Sequence, residues 1–245
     1  MMNDKSLAVG IDGCKFGWVS VCFATQEVLL FRTITQIINY FPNNTIYFFD
    51  IPIGLPDQQH QLRNCEKLAR KLLPKNKKSS IFPVPCREAL RAESYSLAHE
   101  INKKVLGVGL SKQTWFITHK INEMDVFLTE HPALRSNIKE SHPELSFQFL
   151  NGNIPLQHQK KTEDGVLERL EILRNYKESA FKFFNEAISK YKRADLKKDD
   201  VLDAMCLAIT ANQVSEDVKT IPENPIKDSL GIKMGIYYPV TKLQG

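Results

Sequence analysis

The 245-residue sequence has no uninterrupted apolar run approaching the roughly 18 residues that a helix needs to cross a bilayer. Its first residues, MMNDKSLAVG, lack the basic segment and long apolar stretch of a secretory leader, so the cytoplasm is the expected location and no membrane partner is expected. There is no C-x-x-C pair among the five cysteines, Cys14, Cys22, Cys65, Cys86 and Cys206. That argues against zinc-ribbon and dithiol redox centres, and the odd, widely spaced set reads as reduced thiols, most of them buried. Internal repeats and low-complexity blocks are missing too, which excludes solenoids and disordered linkers. Nor is there a strong charge of one sign: 33 Lys and Arg against 28 Asp and Glu leave a formal +5. Such a balance suits a polyanionic partner without the dense basicity of a nucleic-acid coat.

What is present is ordinary globular material, 42% hydrophobic and 25% charged. LAVGID, FGWVSVCF, EVLLFR and TIYFFD read as four strands, with a short helix between Thr35 and Phe41. Three strands on tight turns, then a helix and a fourth apolar strand, predict an antiparallel meander entering a parallel crossover. The proline-rich IPIGLPD and FPVP punctuate loops. Helical spacing follows over Gln58 to Leu73, Arg87 to Leu106 and Gln113 to Leu128. A fifth strand is expected at Asn137 to Ser141, and helices at Pro143 to Leu150, 164 to 192 and Asp199 to Asn212, with a last strand at Gly235 to Tyr238. The expectation is one α/β domain over residues 1–245, a mixed sheet flanked by helices, with residues 55–134 as a helical insertion.

Chemistry concentrates in the aspartates. Asp12 and Asp50 each end an apolar strand, where α/β sheets present groups to a ligand crevice. Each alone reads first as the turn residue before Gly13 or Pro52, and it is the pair that favours a ligand reading. In DDVLDAMCLA, Asp200 and Asp203 share a helix face. Asp199 and Asp200 also suit a first helical turn, where the macrodipole favours acids, whereas Asp203 sits among apolar neighbours and fits that account less well. Four converging carboxylates would hold Mg2+ or Mn2+ rather than zinc. Two such ions about 3.5 to 4 Å apart activate water and stabilise the leaving oxygen of a phosphodiester.

An Asp on the first strand, an acid ending the fourth and D-x-x-D-A near the C-terminus resemble the ribonuclease-H-like superfamily, especially its RuvC-type resolvase branch. In combination, VGIDGCKFGW, DIPIGLPD, SSIFPVPCREAL, SKQTWFI, ESHPELSFQFLNG and DDVLDAMCLA resemble the domain-of-unknown-function 429 family over nearly the whole chain. That family is described as predicted nucleases of ribonuclease-H-like fold. The resemblance implies Asp12 as the ligand bridging two metals, Asp50 as the second ligand, and Asp200 with Asp203 as a helix-borne pair in which Asp203 is favoured. Glu140 and Glu144 depart from the resolvase pattern and stand as a supporting ligand, a general base or a cap. His142 between them reads first as a hydrogen-bonding turn residue.

Substrate-facing candidates are Lys15, Arg87 and Lys112, with Arg63, Lys78 and Lys120 in the insertion; Ser79 and Ser80 with Arg87 could bind an anion. Trp18, Phe82, Trp115 and Phe116 are read as core before base-stacking platforms. The expected activity is metal-dependent cleavage of DNA or RNA, with nucleic acid as the partner and a homodimer as an open arrangement. Two other readings remain. An actin-like nucleotide-dependent kinase would need a second glycine-rich phosphate loop, but Gly152, Gly165, Gly231 and Gly235 are scattered. A non-catalytic binding module would use the acids structurally.

Overall fold

A computed structural model of the chain describes residues 6–213 and 218–240. The β-rich N-terminal runs form the expected meander: β1 (Ala8–Gly13) pairs antiparallel with β2 (Trp18–Cys22), and β2 with β3 (Glu27–Phe31). Helix α1 (Ile34–Tyr40) starts where the Thr33 side chain accepts the Gln36 N–H, an N-cap that satisfies one orphan donor. It leads to β4 (Ile46–Phe49), which lies parallel to β1. With β5 (Ile138–Ser141), β6 (Val218–Ile221) and β7 (Ile236–Pro239), the sheet has the order β3-β2-β1-β4-β5-β7-β6. This mixed, helix-flanked sheet is the α/β class expected, in a layout consistent with a ribonuclease-H-like arrangement. No helix among the described residues is long and apolar enough to cross a membrane. All five cysteines are buried free thiols.

The chain divides into two compact units, one of residues 1–50, 137–219 and 237–245, the other of 51–136 and 220–236. In the first, α5 (Pro143–Leu150), α6 (Glu163–Arg174) and α7 (Ala180–Lys190) share a core with α8 (Lys198–Asn212) through Phe147, Leu170, Leu173, Phe183 and Met205. The helical stretch read as continuous over 164 to 192 is therefore two helices. The turn between them is held by the Tyr176 hydroxyl, which donates to the Leu150 carbonyl at 2.8 Å. Helix α8 is buried without interruption from Val201 to Ala211, as expected of a central rather than a surface helix. Its backbone lies directly on β1. A Cβ at Gly10 would sit 2.1 Å from the Ala204 carbonyl oxygen and 2.1 Å from the Ala208 nitrogen, so only glycine fits. Phe48, Leu207 and Ala211 pack beside this contact.

The second unit holds α2 (Cys65–Leu72), α3 (Tyr95–Leu106) and α4 (Lys112–Glu130). Two of its helices are shorter than periodicity predicts, because side chains compete for backbone groups. Before α2, the Asp57 carboxylate accepts the N–H groups of Gln59 and His60, and Glu88 accepts that of Gln58. Before α3, a 3-10 turn at Arg87–Arg91 ends and Ser94 caps a fresh start by accepting the Leu97 N–H.

Arg87 is the clamp of this unit. Its guanidinium meets Asp57 at 2.7 Å, Asp125 at 3.0 Å and Asp228, and it donates to the Ser229 hydroxyl. Burial alone would raise the Asp57 carboxyl, but the Ser229 hydroxyl, the His60 and Gln59 amides and Arg87 together hold it below its ordinary value. Asp228 also accepts the N–H groups of Leu55, Leu230 and Ile232. One cation thus fastens three separate stretches of chain.

Two outcomes follow for stability. Gly10→Ala forces strand and helix backbones apart and should lower unfolding free energy by about 3 kcal/mol or more in urea titrations, well beyond an ordinary overpacking defect. Arg87→Leu strands three carboxylates and should destabilise by about 3 to 5 kcal/mol, read as lost amide-exchange protection at residues 51–136.

Candidate metal centre

Side chains alternate along a strand, so Gly10 and Asp12 point to the face of β1 that α8 covers. The parallel register pairs Ile11 with Phe49, which brings Asp12 level with Asp50, the next residue along each strand. Asp203 stands one residue before Ala204, whose carbonyl meets Gly10, so the same close approach delivers the helix carboxylate to the strand ends. One ligand oxygen from each of Asp12, Asp50 and Asp203 falls within 4.8 Å of the others. Asp12 and Asp203 are buried and Asp50 is half-buried.

A lysine that the sequence reading missed completes the group. Lys160 Nζ lies 2.8 Å from Asp203 Oδ2 and 3.7 Å from an oxygen of Asp199. The Asp203 carboxylate beside it raises its pKa, so it is firmly an ammonium. Burial, then the charges of Asp50, Asp203 and Asp200, push the Asp12 carboxyl well above its ordinary value, with Lys160 opposing them. Burial likewise lifts Asp50 to about 6, while the nearby His142 and Lys160 pull it down. Burial first, and the neighbouring carboxylates second, thus disfavour the charged forms of Asp12 and Asp50. Three hard oxygen donors in mutual repulsion suit a divalent cation of the Mg2+ or Mn2+ kind.

The other expected acids go elsewhere. Asp200 accepts the Lys197 N–H at 2.9 Å, closing the first turn of α8, so it caps the helix rather than joining the three. Burial raises it to about 6. Glu140 pairs with Phe49 in the β4–β5 register and so faces the opposite side of the sheet from Asp50. Glu144 is taken up by the fully buried Arg169, 2.9 Å away. Arg87 spends its guanidinium nitrogens on the Asp57, Asp125 and Asp228 carboxylates instead of presenting them to phosphate. Ser80 donates to the Lys77 carbonyl at 2.7 Å. Lys15 and Lys112 are exposed. Trp18 is core, edge-on to Phe49, whereas Phe116 is 72% exposed.

Residues 10–227 match the family described as protein of unknown function, DUF429. The chain belongs to this family. No curated protein and no solved structure matches it. The DUF429 match spans both units and all three clustered aspartates.

The raised carboxyls carry a pH signature. Asp50 binds its proton near pH 6 when folded and near its ordinary 3.8 when unfolded. In that window the folded chain holds more protons, so metal-free stability rises as pH falls from about 7 towards about 4. Asp50→Asn should therefore stabilise the chelator-treated protein by about 1 to 2 kcal/mol at neutral pH and by little near pH 4. Unfolding titrations of both proteins across that range check it; a pH-independent difference would refute the charge-repulsion account.

Proposed function

We propose that this chain is a metal-dependent nuclease that hydrolyses phosphodiester bonds of DNA or RNA, with Asp12, Asp50 and Asp203 holding Mg2+ or Mn2+. The observation that carries the reading is the convergence of those three carboxylates within 4.8 Å on rigid strand ends and a central helix. When bound, the ion would supply a water nucleophile at neutral pH and charge stabilisation at the phosphoryl oxygens.

The chain's own groups have defined tasks in this reading. Gly13 donates its N–H to Asp12 Oδ1 at 2.7 Å, which fixes that carboxylate oxygen. Asp50 is the most exposed of the three residues and lies near His142. Lys160 brings a positive charge to the half-exposed rim, where a phosphoryl oxygen would arrive. A net +5 favours a polyanionic substrate, and the reduced thiols favour the cytoplasm.

The test is cleavage of branched, single-stranded and hybrid nucleic acids with and without Mg2+ or Mn2+. Expected is cation-dependent hydrolysis that falls at least about 100-fold in Asp12→Ala. Hydrolysis that survives this substitution rejects the site. Cation binding without cleavage of any of the three substrates rejects the nuclease reading in favour of a binding module.

A further inference from the structure

We propose that Lys160 is the built-in second cation of the aspartate cluster, so that the site takes one divalent ion and not two. The inference rests on the reading of Asp12, Asp50 and Asp203 as a divalent-cation centre and deepens it. Two divalent ions beside the Lys160 ammonium would set five positive charges against the three negative charges of Asp12, Asp50 and Asp203. Every candidate for a fourth carboxylate among Asp200, Glu140 and Glu144 is committed to a helix cap, the other sheet face or an arginine. Asp12, Asp50 and Asp203 carry three negative charges, which one divalent ion and one ammonium balance, and Asp199, 3.7 Å from that ammonium, lies outside the three.

Lys160 is also held in place. Thr162 donates its hydroxyl to the Gln159 carbonyl at 2.9 Å, donates its N–H to the same oxygen at 3.1 Å, and accepts the Gly165 N–H to cap α6. Gly165 lies so close that a Cβ there would sit 1.8 Å from that carbonyl oxygen. On the other side, Glu168 of α6 accepts the N–H groups of Gln157 at 2.6 Å and His158 at 2.9 Å. The segment carrying Lys160 is thus tied to α6 on both flanks, and the ammonium is presented to Asp203 from a fixed turn. Its side chain stays 42% exposed, open to an incoming anion. A lysine so placed competes with a second metal for Asp203 and does that metal's electrostatic work on the substrate.

The experiment uses Mn2+ alone as probe, on the full chain and on Lys160→Met, with binding followed by calorimetry and electron paramagnetic resonance. Expected for the natural chain is one Mn2+ with an uncoupled spectrum. Expected for Lys160→Met is binding tighter by about ten-fold or more, because a competing positive charge has gone. Two spin-coupled ions in the natural chain would overturn the role of Lys160 and leave the cation centre standing. Unchanged or weaker binding by a folded Lys160→Met would do the same. No binding by the natural chain would overturn the centre and this inference together. Should Lys160→Met fail to fold, the ion count of the natural chain still decides.

Discussion

The backbone of β1 touches the backbone of α8 at Gly10, and the rest of the site is a consequence of that contact. Because no side chain separates strand from helix, a residue two places along the strand and a residue one place back along the helix come within ligand distance. Those residues are Asp12 and Asp203. Any side chain at position 10 would move α8 away from the sheet and open the three-carboxylate group before it altered a single ligand. The long buried face of α8 then serves to hold the helix against this contact, with Phe48 and Leu207 beside it and the side chains of α5, α6 and α7 behind it.

Arg87 and Lys160 each stand among several carboxylates, and their chemistry separates the two groups. Around Arg87 the guanidinium supplies several directed bonds, backbone amides supply more, and Asp57 is held below its ordinary value. Such a group is satisfied as it stands and acts as a structural clamp. Around Lys160 a single ammonium faces Asp203, Asp199, Asp12 and Asp50, and burial and repulsion push Asp12 and Asp50 up. That group is less fully compensated than the one around Arg87.

The parts of this arrangement differ in how far they could be read from residues alone. Strands β1 to β5 and helices α5 and α8 are local patterns, and Asp12 and Asp50 stand at the ends of such patterns, so they were legible. Asp203 differs from Asp200 in having apolar sequence neighbours, and Asp200 accepts the Lys197 N–H at the start of α8. Glu140 was not legible, because which face a strand residue takes relative to Asp50 depends on the β4–β5 register, a property of two distant segments. Lys160 lies in a loop without periodicity, and its partner is 43 residues away. The grouping of 220–236 with 51–136 is likewise a long-range matter that periodicity cannot carry.

The direction of the elements adds a last electrostatic term. β1 and β4 run parallel and both end at the cluster, while α8 begins there, since Asp203 meets the strand ends and Leu207 and Ala211 lie beside Phe48, farther back along the sheet. The first turns of α8 therefore turn the positive end of the helix dipole towards the carboxylates. This partial charge and Lys160 lessen the repulsion without cancelling it, for Asp12 and Asp50 still titrate high. The three acids stand on or directly after strands and a buried helix, whereas the ammonium comes from a loop clipped to α6. Changes in that loop would therefore retune the charge at the three carboxylates while their own geometry stayed put.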